Sequence, residues 1–137
     1  MSADEIPDVE YAAKRWTTLH PWLSPLHGGR VFFTLPPGDV TWPAITVGLL
    51  SDTPDLGPAV TTSRIGWQVW GETKKQAADL RRVLVAALRA APGTFLQPDV
   101  WCHDVTGIFS MNAPEDESKL RRCIVDADVL ARVHSLV

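Results

Sequence analysis

The sharpest pattern of apolar and polar positions runs from Ile65 to Pro92. Ile65, Trp67 and Val69 alternate with Gly66, Gln68 and Trp70, the period-2 signature of a strand with one buried face. The alternation stops at Gly71. Thr73 and Gln76 then stand three apart, the spacing of a capping box. In that motif the Thr hydroxyl accepts from an orphan backbone N–H and the Gln side chain returns a bond to the cap. Behind the cap, Ala77, Leu80, Leu84, Ala87, Leu88 and Ala91 form one stripe at helical spacing, broadened by Val83. A helix over 73–91 would be about 28 Å long, and Pro92-Gly93 closes it.

The second clear pattern is at 119–133. Cys123, Val125, Ala127, Val129, Ala131 and Val133 fall on one side of a strand; Arg122, Ile124, Asp126, Asp128, Leu130 and Arg132 fall on the other. Weaker patterns predict a helix over 8–19, capped by Asp8 and ended by His20-Pro21, and an irregular connection over 21–28. Strands are predicted at 30–35, 43–51 and 99–111, the last with a bulge at Gly107. Pro36-Pro37-Gly38-Asp39 reads as a turn, 52–61 as a projecting loop, and 112–118 as a polar connection. Phe95 and Leu96 are expected to pack back on the core. The order of elements implies an α+β fold: a mostly antiparallel sheet of four to five strands with two helices packed on one face.

Composition narrows this picture. A length of 137 residues suits one domain, expected over 8–137 behind a flexible arm at 1–7. The net charge of −3 does not favour a nucleic-acid footprint. The local cations Lys74, Lys75, Arg81 and Arg82, then Lys119, Arg121 and Arg122, read as a solvated helix face and strand end. The acidic, polar N-terminus is unlike a signal peptide, and no apolar run is long enough to span a membrane. Cys102 and Cys123 give no disulfide framework; they are expected as free, partly buried thiols in a reducing cytosol, or else as a pair facing one another across strands.

The candidate chemistry is sparse. His20, His27, His103 and His134 show no metal-ligand spacing, and His103 beside Cys102 would point to the opposite face of its strand. A Cys102–His134 pair would need a stabilised, exposed thiolate, yet valines surround the cysteine in sequence. Asp126 and Asp128 share a strand face about 6–7 Å apart, a separation that could hold a hydrolytic water. Arg122 and Arg132 flank them, so a salt-bridged surface or contact with a neighbouring subunit explains the row more simply. Gly28-Gly29 and Gly38 fit no phosphate-binding frame. No enzyme, cofactor or metal is expected. Trp70, Ile124 and Leu130 would be apolar groups among charges on a sheet face without helices, which marks an oligomer interface.

Four segments carry a family likeness: GGRVFFTLPPG, WPAITVGLL, IGWQVWGETKKQAADLRRVLVAAL and RRCIVDADVLARV. In this order and spacing, over roughly 8–134, the chain resembles the tail terminator (tail completion) proteins of long-tailed bacteriophages. The resemblance implies a subunit that forms a ring, typically of six, at the head-proximal end of the tail in the virion, made in the cytoplasm of a bacterial host. Such a ring caps the tail tube, stops tube polymerisation and meets the head connector; DNA passes through it without specific binding. The resemblance carries no catalytic residue. The implied partners are further copies of the chain, the major tail tube protein and the head-closure or connector protein, with no membrane. The strand pattern itself offers Trp70, Ile124, Asp126, Asp128, Leu130 and Arg132 as the candidate interface, and the resemblance matches the family's interaction surface to the 52–61 loop, with Asp52, Asp55 and Leu56 as its candidate contacts. Neck proteins that close the head or adapt it to the tail are the near alternative. A small nucleic-acid-binding protein is the alternative of another class.

Overall fold

The computed structural model describes residues 7–38, 40–53, 60–113 and 120–133. The elements are α1 (Val9–Leu19), α2 (Ser24–His27), β1 (Val31–Phe32), β2 (Ala44–Thr53), β3 (Val60–Gly71), α3 (Lys74–Ala90), β4 (Thr94–Gln97), β5 (Val100–Asn112) and β6 (Arg121–Val133). All six strands join one sheet in the order β1-β2-β3-β6-β5-β4, antiparallel except for the short β1–β2 pair. The sheet curls far enough that α1 meets both β1 and β4, its two edge strands. The α+β class stands, with six strands and three helices among the described residues in place of four to five and two.

The differences have local causes. Residues 21–28 contain one helical turn, α2, because Pro25 sits at a first-turn position, where a missing N–H costs nothing. β4 places only Leu96 in the core, and Phe95 points outward, so no alternation advertises it. The strand expected at 30–35 pairs only through Val31 and Phe32. The segment read as a loop at 52–61 is shorter: β2 runs to Thr53 and β3 begins at Val60, and residues 54–59, with Asp55 and Leu56, lie outside the described set. The arm residues 1–6 and His134 lie outside it as well.

The strand–turn–helix unit forms as its pattern predicts. Along β3, Ile65, Trp67 and Val69 are buried; along β6, so are Cys123, Val125, Ala127, Val129 and Ala131. α3 lays Ala77, Leu80, Leu84, Ala87 and Leu88 over these two central strands. Thr73 caps the helix, its hydroxyl accepting from the Gln76 N–H at 3.1 Å. The Gln76 side chain returns a bond to the N–H of Glu72, one residue before the cap, not to the cap itself. Gly71 is buried where the chain turns onto the helix; a Cβ there would stand 2.9 Å from the backbone nitrogen of Ala77. Only glycine lets the strand end touch the first turn of α3.

α1 is fixed by a buried polar knot. Asp8 caps it by accepting from the Tyr11 N–H. Thr17, fully buried, donates its hydroxyl to the Ala13 carbonyl at 2.7 Å and accepts from the Trp67 indole N–H at 3.0 Å. The Thr17 carbonyl lies 2.8 Å from His27 Nε2, and His27 Nδ1 accepts from the Gly29 N–H at 2.9 Å. Because Nδ1 is the acceptor, the proton of the neutral ring sits on Nε2 and is donated to Thr17. One threonine thus ties α1, α2 and β3 together.

Replacing Leu84 with Ala removes a side chain with no exposed area and should cost about 2–5 kcal/mol in denaturant unfolding; a change under about 0.5 kcal/mol would mean that the α3 stripe is not core. Burial, followed by the nearby Arg30 charge, holds the His27 pKa below its ordinary 6.5, outweighing its bond to Thr17. The stability that neutral His27 contributes is therefore complete above pH 6.5 and is lost as pH falls through the lowered folded value. The urea midpoint should drop between pH 7.5 and 5.5, and His27→Gln, which cannot gain the proton, should lose less over the same interval.

Candidate assembly interface

Because the core side of each strand faces α1 or α3, the alternate residues form a sheet face without helical cover among the described residues. On β3 this row is Thr62, Arg64, Gly66, Gln68 and Trp70; on β6 it is Arg122, Ile124, Asp126, Asp128, Leu130 and Arg132. β5 supplies Trp101, Asp104, Thr106, Phe109 and Met111 through their pairing with the β6 row. β5 changes phase twice to do so. His103 is an extra residue between Cys102 and Asp104, and a second irregularity falls between Thr106 and Phe109. Between the two irregularities Val105 turns inward and packs against the core. The Gly107 bulge appears where the sequence placed it.

At the centre of this face is a cross-strand ion cluster. Arg64 stands directly opposite Asp128 and reaches Asp128 at 3.4 Å and Asp126 at 3.6 Å. Its guanidinium also donates to the Gly107 carbonyl at 3.0 Å. Gly107 has φ of 60°, and a Cβ there would press against Arg64 at 3.1 Å, so glycine permits both the bulge and the clasp. The expected partners, Arg122 and Arg132, do not pair with these aspartates. Each lies four residues along the same strand from one of them, about 13 Å away. Arg122 instead stacks over the Trp70 ring at 5.2 Å and donates to Gln68.

The sequence-predicted residues are thus brought onto one face but not into one role. Trp70 is half-buried by Trp42 and Arg122 on its own chain. Ile124 lies between Gln68 and Met111, and Leu130 between Thr62 and Asp104. Asp52 is placed apart, near the end of β2, where it accepts from the Ser63 hydroxyl at 2.5 Å. The most exposed apolar groups here were not singled out in the sequence: Leu50, 59% exposed and lying over Gly66, and Phe109, 50% exposed beside Asp126. Leu50 keeps the parity of Thr46 and Gly48 on β2, and Phe109 that of Trp101 on β5, where the two irregularities cancel.

A second apolar surface lies on the helical side, in a groove between α2 and α3. Trp22, Pro25, Leu26, Val83 and Ala86 line it, with Asp79 and Arg82 at its edge. Arg82 and Lys75 both pair with Asp79, and the two cations hold that carboxyl below its usual range.

Neither cysteine is placed for nucleophilic work. Cys102 is buried, and burial followed by the charge of Asp104 pushes its thiol up to about 11, so it is protonated at neutral pH. Burial also raises Cys123, against the opposing effect of Arg81. The two cannot bridge: Cys102 pairs with Ala131, eight residues along β6 from Cys123, about 26 Å away. Among the described residues no three His, Cys, Asp or Glu side chains gather as a metal site, and no helix is long and apolar enough to cross a membrane.

The fold is similar to that of a chain in the solved structure titled "Virion of native gene transfer agent (GTA) particle", with a TM-score of 0.59 and 18% identity over 93% of this chain and 95% of that one. No protein-family model and no curated protein sequence matches the chain.

Replacing Arg64 with Ala leaves two neighbouring carboxylates without their shared cation. The cluster is partly solvated, so the expected loss is about 1 kcal/mol in urea unfolding at low salt, shrinking as salt is added.

Proposed function

We propose that this chain is a structural subunit of a tailed, virion-like particle. It assembles into a ring, typically of six, at the head-proximal end of the tail tube. There it ends tube growth and joins the tail to the head connector, with DNA passing through the ring and no bond chemistry performed. The observation that carries this reading is the uncovered sheet face, apolar groups set among charges, on a fold shared nearly end to end with a virion chain. The order and spacing of the four segments that resemble tail terminators support the same assignment.

In this reading Ile124, Asp126, Asp128, Leu130 and Arg132 face a neighbouring copy, with Trp70 at the margin. Asp52, at the end of β2, leads into the segment holding Asp55 and Leu56, which contacts the tube or a neighbour. This function needs geometry and complementary surfaces rather than a catalytic pocket.

Mass photometry or sedimentation at micromolar concentration, alone and with the tube protein, should detect a ring. A strict monomer under both conditions overturns the proposal. Binding to the head connector without binding to the tube would identify a neck protein instead. Affinity for generic DNA that falls steeply with salt would favour the nucleic-acid alternative.

A further inference from the structure

Resting on the ring reading, we infer that the open sheet face of one copy seats in the α2–α3 groove of the next. The two surfaces lie on opposite sides of the molecule, one formed by the bare side of the sheet and one by the outer side of the helical layer. Each offers apolar area: Leu50, Phe109 and Met111 around the ion cluster of the sheet face, and Trp22, Leu26 and Val83 in the groove.

Charge decides which surfaces can meet. On the stripe of α3 that borders the groove, Lys75, Arg82 and Arg89 stand against Asp79 alone, in a chain whose net charge is −3, while Arg81 turns away to Ser110. Arg89 pairs with no carboxylate among the described residues. The centre of the sheet face has the opposite balance, with Asp104, Asp126 and Asp128 around the single cation Arg64. Arg122 and Arg132 stand at the two ends of that row, and Arg122 is already held by Trp70 and Gln68. Two sheet faces set centre to centre would place acid on acid, and two such α3 stripes would place cation on cation. Only the crossed pairing matches apolar area with apolar area and charge with opposite charge.

That pairing is heterologous. Each copy uses one surface to hold its neighbour and the other to be held, so contacts continue around until rotation closes them. An isologous contact through the sheet face alone would stop at a dimer. The curled sheet presents its uncovered side as the convex one, since α1 lies within the curl, and a convex face suits a groove.

The test uses two variants of the full chain, under the conditions in which the unaltered chain forms rings, alone or on the tube protein. Trp22→Asp blocks the groove and Phe109→Asp blocks the sheet face; both residues are about half exposed, so folding should persist, as checked by circular dichroism and melting temperature. Each variant alone should remain monomeric. Mixed in equal amounts they should form a one-to-one dimer and nothing larger, because one intact sheet face and one intact groove remain. Should either variant be unfolded, Arg89→Glu takes its place: it should raise the midpoint concentration for assembly about tenfold, and adding Asp104→Arg should recover part of that loss. Rings of ordinary size and stability from Trp22→Asp, or from Arg89→Glu, overturn the inference while leaving the ring reading intact. Absence of rings from the unaltered chain, both alone and on the tube, overturns both.

Discussion

The structure depends on burying one face of a curled sheet and leaving the other bare. β3 and β6 are its central strands, and each gives every second residue to the interior. α3 can cover them because its inner stripe mixes leucines with Ala77 and Ala87, and because Gly71 admits the first helical turn against the strand end. Burial of that apolar surface is the main favourable term in the fold. The Thr17, His27 and Trp67 knot then sets where α1 lies beneath the curl. These devices all act on the same side of the sheet.

The other side is organised by charge. Arg64 holds two aspartates and a bulge carbonyl, which keeps the polar centre of the face ordered while leaving apolar side chains at its margins in solvent. A monomer gains little from such an arrangement, since partly exposed ion pairs stabilise weakly. A subunit gains more: a fixed pattern of charge directs which surface approaches and in what register.

The long regular elements were legible in the sequence for a simple reason. β3, β6 and α3 each bury one face along their whole length, so their periods are clean. α2 is one turn long, and β4 contributes one core side chain, so neither leaves a period to read. β5 inverts its phase between two irregularities, which put Val105 inside, and regains the phase of Trp101 at Phe109. The row on β6 was legible as a mixed face, but its ion partner was not. Sequence neighbours such as Arg122 are remote along a strand, whereas Arg64 is adjacent across the ladder, and cross-strand register is a tertiary property. The α2–α3 groove likewise depends on how two helices are juxtaposed. The fold class could thus be argued residue by residue, while the candidate interface surfaces required the sheet to be in register first.

The strand order carries a consequence for how the molecule comes into being. β6 follows the other described strands in chain order yet lies in the middle of the sheet, between β3 and β5. During synthesis the ribosome delivers β1, β2 and β3 as one hydrogen-bonded half and β4 with β5 as another, and these halves share no ladder of their own. Two unpaired edges, one on β3 and one on β5, wait for the same strand. Closure across so much sequence is entropically slow, and exposed strand edges invite pairing with other chains in the interval. The nascent chain is therefore most vulnerable to mispairing before β6 inserts, and that insertion both ends the exposure and creates the outward row of residues around Asp126 and Asp128.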